Sequence, residues 1–319
     1  MSPREQETFI QRLDLSKKTL SNRFVIYVSE RASPRSRKYF RRASVYDTAN
    51  YMHYLCAKSI GGRGIVDYAH RSPLFLVWHR MWNINLEQEI RNITGDDSFS
   101  IPFWSWVGKS QCDVCTNKLF GRNEGGGQIM LNSIFRSWRT QCTNDREYAD
   151  SMDVVCAPGI GQLIYRLNGA GLEFRPPLFN GLPTKQDYDA CFRLSVFDRP
   201  PYNENATFCF RNALEGFIDP KSPYQRSISM HNAVHVFLGG THLLPSESAN
   251  DPLFPSIHVN VDKILDQWWR LHNTSSYPAG PLPIGHRADD NMIPFFPLVK
   301  NRDLFGATPP LGYRYEGNE

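Results

Sequence analysis

The sequence has no run of about 18 to 20 consecutive apolar residues, which is the length that a membrane-spanning helix requires. Its first eight residues are mostly polar and lack the apolar core of a secretory signal. We therefore expect no membrane span in this chain. The chain is then either a soluble cytoplasmic protein or a mature domain whose leader has been removed.

Strong charge bias and linker-like segments are absent as well. The 36 basic and 32 acidic residues leave a net charge of +4, and no Ser/Gly-rich stretch divides the 319 residues. The one dense basic stretch, residues 31–42, is interpreted as a solvated loop, so we expect no nucleic-acid partner. A hydrophobic content of 41% supports a large core, while 22 Pro and 22 Gly indicate long loops. Residues 1–319 are predicted to form one domain.

Cysteine is sparse, with seven residues in the chain. Six of them lie close together in pairs that suggest short-range disulfides, which are Cys112 with Cys115, Cys142 with Cys156, and Cys191 with Cys209. The remaining Cys56 is interpreted as a buried free thiol. Glycosylation sequons begin at Asn92, Asn205 and Asn273. Disulfides and sequons together favour a trimmed domain from the secretory lumen or the extracellular space.

Six of the nine histidines fall into two groups. In the first group, a helical pattern over residues 45–58 presents His53, and a second pattern over residues 74–93 presents His79. His70 precedes a helix-breaking proline, so we expect it to reach the site from a loop. A single histidine on an apolar face is usually a hydrogen-bonded core residue, but three in this arrangement indicate a metal site.

The second group has a helical spacing of its own. His231 and His235 are four residues apart, which places them on one face of a helix. Prolines at 252 and 255 precede a third pattern, which makes His258 a first-turn residue of a further helix. The remaining His242, His272 and His286 have no partner at ligand spacing and are interpreted as structural or surface residues.

These patterns predict a mainly α fold. We expect an antiparallel four-helix bundle core, at about residues 45–272, that holds a dinuclear metal centre and is surrounded by long loops and a little β structure.

The histidine segments resemble the two copper-binding motifs of tyrosinases. Residues 70–80, HRSPLFLVWHR, are similar to the first motif, and residues 230–235 together with 251–262 are similar to the second. Further segments similar to the animal tyrosinases and tyrosinase-related proteins follow in the same order, at 87–90, 94–97, 101–106, 112–115, 210–217, 283–286, 292–297 and 311–315. The resemblance covers about residues 19–315.

The resemblance implies a type-3 centre with two copper ions and O2 as co-substrate. One ion would be held by His53, His70 and His79, and the other by His231, His235 and His258. It also implies ortho-hydroxylation of tyrosine-like monophenols and oxidation of DOPA-like o-diphenols to o-quinones, in melanin-type pigment formation. Small phenols and catechols would be the partners, and a melanosome-like organelle is one implied location.

Two polar residues match positions to which the family assigns a role in catalysis. Glu215 corresponds to a glutamate that holds a water molecule, and Asn232 corresponds to the asparagine that shares it, so together they would accept the proton of the phenol. Salt bridging for Glu215 and helix orientation for Asn232 are the structural alternatives. Val259, next to the last ligand, is a candidate wall residue of the substrate pocket.

Other functions stay open at this point. Ile257 stands before His258 where many tyrosinases have a second histidine, as in tyrosinase-related proteins, some of which bind zinc. The alternatives are a catechol oxidase without hydroxylase activity, a zinc-bearing dopachrome tautomerase, and a non-enzymatic haemocyanin-like oxygen binder. The preferred phenol and the oligomeric state do not follow from the sequence.

Overall fold

The computed structural model describes residues 1–58, 67–142, 154–157, 161–169, 181–274 and 276–317. In these residues the protein is mainly α-helical, as predicted, with seven α-helices and one two-stranded sheet. The helices are α1 (Pro3–Lys18), α2 (Val45–Cys56), α3 (Leu74–Thr94), α4 (Lys185–Phe192), α5 (Phe210–Glu215), α6 (Met230–Leu238) and α7 (Phe254–His272). None of them is both long and apolar enough to cross a membrane.

Short 3-10 helices lie in the connections between these elements. They span Ile134–Ser137, Gly240–His242, Ser248–Asn250, Asn301–Leu304 and Pro309–Leu311. The second and third of them lie between α6, which carries His231 and His235, and α7, which carries His258. The predicted long loops are therefore partly ordered as single turns.

Helix α2 begins directly after its capping residue Ser44 and contains the first histidine in its last turn. The Ser44 hydroxyl accepts a hydrogen bond from the Asp47 backbone N–H, which satisfies one of the free donors of the first turn. Ten of the twelve helix residues are buried, including His53 in the last turn. A helix buried on nearly every side can place an imidazole deep in the core.

Helix α3 begins at Leu74, directly after Pro73, as the sequence predicted. It ends at Gly95, whose φ of 65° lies in the left-handed region that glycine adopts without steric cost. The apolar residues at helical spacing are all fully buried, which are Phe75, Trp78, Trp82, Leu86 and Ile90. His79 lies within this stripe and is therefore turned inward.

Helix α7 starts earlier than the sequence pattern suggested. It begins at Phe254, with Pro255 in its first turn, where a missing backbone N–H costs nothing. His258 is consequently the fifth residue of the helix, so its predicted place in the first turn is wrong by one turn. The helix packs against α3, and α3 in turn packs against α2.

The minor β structure is a hairpin that includes part of the basic stretch. Strand β1 (Leu20–Ser29) pairs antiparallel with β2 (Lys38–Ser44), in a register that sets Tyr27 opposite Phe40. The prediction of a solvated loop over residues 31–42 is therefore wrong for its second half. Strand pairing satisfies the backbone there, while the arginine side chains remain on the surface.

The core surrounds the ligand-bearing helices. It contains fully buried tryptophans, which are Trp78, Trp82, Trp104, Trp106 and Trp268. Helix α2 packs on α3 and α3 on α7, so three helices that carry histidines are neighbours, while α6 packs on α5. Their antiparallel four-helix arrangement stays a prediction.

Two of the three expected disulfides are present. Cys112 is bonded to Cys115, and Cys142 is bonded to Cys156. The predicted bridge between Cys191 and Cys209 is wrong, since both are buried free thiols and the Cys209 thiol donates instead to Asp198 at 3.4 Å. Cys56 is a buried free thiol, as predicted, and burial raises its pKa far above the usual range.

Candidate metal centre

The first triad joins two helices and a loop. His53 comes from α2, His79 from α3, and His70 from the segment just before α3, as the sequence predicted. One ring nitrogen of each lies within 4.8 Å of the others, and the ring centroids are 5.0 to 5.5 Å apart. This spacing is close to that of three imidazoles around one ion with bonds of about 2 Å.

The second triad comes from helices alone. His231 and His235 lie one turn apart on α6, and His258 lies on α7. Their ligand nitrogens also fall within 4.8 Å of one another. The Nε2 atoms of His231 and His258 are 3.3 Å apart, so the two rings point at a common position.

The two triads face each other across a short gap. The rings of His79 and His258 are stacked, with centroids 4.0 Å apart and an interplanar angle of 8°. Phe75 and Phe254 contact histidines of both triads. The structure therefore brings all six predicted ligands into one paired centre.

Several buried nitrogens of the centre have no protein partner in the part of the chain that the structure describes. These are the Nε2 atoms of His79 and His235 and Nδ1 of His258. Unpaired polar atoms in a core cost free energy unless a ligand satisfies them. A metal ion at each triad would bind one unprotonated nitrogen of each ring, so the donor set fits a dinuclear metal centre.

Burial also keeps the imidazoles neutral. It holds the pKa of His53, His79, His235 and His258 well below the usual range, and each neighbouring ring adds to the effect. The pKa of His231 is lowered to about 3 for the same reasons. A metal binds only the unprotonated ring, so the site is ready to bind metal near pH 7.

Hydrogen bonds of the Nδ1 atom fix the orientation of several of the histidine rings. His79 Nδ1 donates to the Phe75 carbonyl at 2.8 Å, and His235 Nδ1 donates to the His242 carbonyl at 3.0 Å. His231 Nδ1 donates to Asn232 Oδ1 at 3.1 Å. These partners select the tautomer that leaves Nε2 free for a metal.

Glu215 is buried beside the second triad. Its Oε2 accepts a hydrogen bond from Arg211 at 2.9 Å, and its Oε1 accepts one from the Arg71 backbone N–H at 2.5 Å. Burial raises the pKa of Glu215, and Arg211 opposes this effect. The carboxyl group is therefore paired with Arg211 and poorly solvated.

A glycine brings Glu215 close to α6. Gly216 ends α5 with a φ of 102°, and a Cβ there would lie 2.0 Å from the Ser229 carbonyl oxygen. Only glycine permits this approach of the two chain segments. His231 Nδ1 consequently lies 3.3 Å from the Glu215 carbonyl oxygen.

A cavity of about 270 Å³ opens onto the centre. Its lining includes ligand histidines from both triads, together with Glu215 and Asn232. A space of this size, with polar groups at one end, can admit a single aromatic ring. Glu215 and Asn232 thus line the same opening as the metal ligands.

Val259 lies elsewhere. It is in the wall of a separate cavity of about 580 Å³, which also includes Arg80 and Trp104, and it is not in the described lining of the cavity at the histidines. Adjacent residues of a helix differ in direction by about 100°, so Val259 turns away where His258 turns inward. Its role as a wall of the substrate pocket stays a prediction that this geometry does not support.

Several residues around the centre were not identified from the sequence. His242 was interpreted as structural or surface, and it is buried, with its carbonyl holding His235. Its Nε2 lies 3.2 Å from Asp251, which forms a buried ion pair with Arg166. The contacts of Phe75 and Phe254 with the histidines could have been predicted from the sequence, since each phenylalanine precedes a histidine of the triads by four residues on the same helix.

The common central domain of tyrosinase matches residues 43–271. A mouse protein named 5,6-dihydroxyindole-2-carboxylic acid oxidase is 37% identical over 333 residues, which cover 99% of this chain and 62% of that protein. A dog tyrosinase is 36% identical over 328 residues, which cover 99% of this chain and 61% of that protein. The chain thus spans about three fifths of the length of these relatives.

A solved structure shares the fold. A polyphenol oxidase variant from Thermothelomyces thermophila superposes with a TM-score of 0.63 at 16% identity, covering 96% of this chain and 84% of the other. The match supports the helical architecture that carries the two histidine triads.

Proposed function

The chain belongs to the tyrosinase family, and on that premise we propose that it is a type-3 copper oxidase. Its proposed reactions are the ortho-hydroxylation of tyrosine-like monophenols and the oxidation of DOPA-like o-diphenols to o-quinones. The observation that carries the proposal is the pair of facing histidine triads that open into one cavity with Glu215 and Asn232.

Copper is the metal that this donor set favours. Neutral imidazole suits copper, and the affinity order of divalent ions places Cu(II) above Zn(II). When bound, two copper ions would supply the exchange of electrons with O2 that hydroxylation and quinone formation both need. The protein would hold three imidazoles on each ion and leave the centre open to the cavity.

Removal of the phenolic proton is the task left to the side chains. A phenol with a pKa near 10 costs roughly 4 kcal/mol to ionise at pH 7, at about 1.36 kcal/mol per unit. Glu215 is a buried carboxylate in the cavity lining. The side-chain oxygen of Asn232 accepts a hydrogen bond from His231, so the side-chain NH2 group of Asn232 is left to donate. We infer that the two residues together hold a water molecule that accepts the proton.

The function is tested by oxygen uptake of the copper-loaded protein with L-tyrosine and, separately, with L-DOPA. We expect uptake with both. Uptake with L-DOPA alone would make the protein a catechol oxidase and would contradict the hydroxylase activity. Reversible oxygen binding without turnover would point to a haemocyanin-like carrier.

The role of Glu215 is tested by Glu215→Gln. We expect hydroxylation of L-tyrosine to fall by about 100-fold, the usual contribution of a general base, and L-DOPA oxidation to fall less. Asp198→Asn is the matched control, since Asp198 is the other carboxylate bound to Arg211. An equal loss of both activities in Glu215→Gln would show that the residue only supports the fold.

A zinc-bearing tautomerase is the second candidate, and Ile257 favours it. Ile257 is fully buried beside His258, so no additional imidazole lies at that position. Elemental analysis of protein produced with copper and zinc both in excess distinguishes the copper oxidase from the zinc tautomerase. Zinc at both triads, with conversion of dopachrome and no oxygen uptake, would support the tautomerase and exclude the oxidase.

We also propose that the protein works in an oxidising compartment, such as the secretory lumen, a melanosome-like organelle or the extracellular space. Two disulfides support this location. The asparagines of the three sequons, Asn92, Asn205 and Asn273, are all exposed. A shift in mass on treatment with a glycosidase would support it, and an unmodified protein purified from its source would count against it.

A further inference from the structure

We propose that Arg71 selects phenols and catechols that carry a carboxylate, by binding that carboxylate at the entrance to the metal cavity. This proposal rests on the function proposed above. It adds a residue that recognises the part of the substrate remote from the reacting hydroxyl groups.

The backbone places Arg71 at the cavity and turns its side chain outward. The residue follows the ligand His70, and its φ of 56° lies in the left-handed region that costs a non-glycine residue roughly 1 kcal/mol or more. The conformation is held because the Arg71 backbone N–H donates to Glu215. Arg71 is therefore tied to the proposed catalytic carboxylate through its backbone alone, while its side chain stays exposed.

The guanidinium is steadied by an aromatic ring. Its central carbon lies 5.6 Å from the ring centroid of Phe217, which also lines the cavity. Among the described residues, no side-chain hydrogen bond or ion pair engages the guanidinium of Arg71. Its planar set of N–H donors matches a carboxylate, which it can bind with two parallel hydrogen bonds.

Arg71 also sets the charge of the entrance. Three charged residues are in the described lining of the cavity, and two of them are buried. Glu215 is paired with Arg211, and Asp67 lies 3.4 Å from the His70 ring. Arg71 is thus the exposed charge of this lining, so the entrance attracts anions and disfavours cations.

The place of Arg71 in the cavity lining suits an aromatic acid. Arg71 is adjacent in sequence to a metal ligand and shares the cavity with ligands of both triads. A ring whose hydroxyl end faces the histidines would leave its substituent at the entrance. Binding energy from such a remote group positions the reacting end of the substrate.

The test compares a catechol acid with its uncharged ester. The substrates are 3-(3,4-dihydroxyphenyl)propanoate and its methyl ester, and the protein is the copper-loaded full chain. We expect Arg71→Gln to lower kcat/KM for the acid by about 10-fold, chiefly through KM, and to leave the ester nearly unchanged. Arg71→Lys should recover part of the loss.

The controls separate charge from structure. Glutamine keeps the backbone N–H that binds Glu215 and has the same cost at this φ, so the fold of the segment is retained. Arg122→Gln changes an exposed arginine that is not in the described lining and should alter neither substrate. An equal loss for acid and ester in Arg71→Gln would overturn the proposal and leave Arg71 as a packing partner of Phe217.

A binding measurement distinguishes failure of this proposal from failure of the proposed function. Metal-free protein is titrated with the acid and with the ester by calorimetry. Weaker binding of the acid alone to Arg71→Gln supports the proposal even if no oxygen is consumed. Equal affinity of the wild type and Arg71→Gln for the acid would overturn it, whatever the activity.

Discussion

The two histidine triads differ in how firmly the protein holds them. In the second triad all three ligands lie on helices, and both imidazoles of α6 have a hydrogen-bonded Nδ1. In the first triad His79 Nδ1 bonds the Phe75 carbonyl at 2.8 Å, and His70 Nδ1 lies at the longer distance of 3.4 Å from an Asp67 carboxylate oxygen. His53 is held by ring packing against Phe254, with centroids 4.9 Å apart, and His70 comes from outside the helices.

This difference separates two ways of building a ligand set. Hydrogen bonds fix the direction of a ring and its tautomer, whereas packing fixes only its position. The second triad is also supported through His242, Asp251 and Arg166, which extend the network into the core. We therefore expect the second site to bind metal more tightly than the first.

Removal of a ligand should have the largest effect. We expect His235→Ala and His53→Ala each to lower the metal content from two ions to one per chain. The ion that remains should be bound more tightly in His53→Ala, because the supported second triad is intact there. Elemental analysis after dialysis against graded chelator measures both properties, and the reverse order of affinity would contradict the comparison.

Disruption of the network of His242, Asp251 and Arg166 behind the second triad should have the second largest effect. Arg166→Met leaves Asp251 buried without its charged partner and should lower the free energy of unfolding by about 3 to 5 kcal/mol. Arg80→Met breaks a similar buried pair with Asp262 and is the matched control. Chemical denaturation should show a loss in both variants, and metal titration should show weaker second-site binding only in Arg166→Met.

A smaller effect is expected from a single supporting hydrogen bond. Asn232→Ala removes the nearer of the two acceptors of His231 Nδ1 and leaves the Glu215 carbonyl at 3.3 Å, so it should weaken metal binding at the second site by about 10-fold. Asp67→Asn changes the group near His70, at 3.4 Å, and should weaken the first site less. Competition with a chelator of known affinity would measure both, and a larger effect of Asp67→Asn would reverse the comparison.

The smallest expected effect is on the pH dependence of stability, and it concerns His286, which packs beside the segment that carries His70. His286 packs on Tyr68, and burial lowers the pKa of His286 to about 4 although Asp67 and Asp290 oppose the shift. Because this pKa lies below the value of about 6.5 in the unfolded chain, protons bind the unfolded state preferentially. The stability contributed by neutral His286 is complete above about pH 6.5 and is lost as the pH falls towards 4.

His286→Gln should remove that part of the pH dependence. Between pH 7 and pH 5 the metal-free wild type should lose about 1 to 2 kcal/mol more than the variant, since the ligand histidines contribute equally to both proteins. Urea denaturation at the two pH values measures the difference. Parallel losses in the two proteins would show that His286 is solvated in the folded state.

Local patterns predicted the helices and the grouping of the histidines well. Pro73 and Gly95 mark the ends of α3 because the chemistry of helix ends is local. His231 and His235 could be paired because four residues make one turn. The start of α7 was missed, since Pro255 was taken to precede the helix and in fact fits in its first turn.

Long-range contacts account for the errors. Nothing near Cys209 in the sequence shows that its thiol lies against Asp198, so the expected bridge to Cys191 did not follow from spacing. The β2 strand was missed because its partner, β1, supplies the hydrogen bonds that make a basic segment extended. In the same way, no local signal joins His242 to Asp251.

By itself, the sequence determined which six histidines form the two triads, which helices carry most of them and to which family the chain belongs. It could do so because ligand spacing, helix periodicity and helix ends depend on neighbours within a few residues. Only the tertiary structure decided that the rings of His79 and His258 stack across the two triads with centroids 4.0 Å apart, and that the Arg71 backbone N–H donates to Glu215. These relations join segments far apart in the chain, and packing of the core sets their distances.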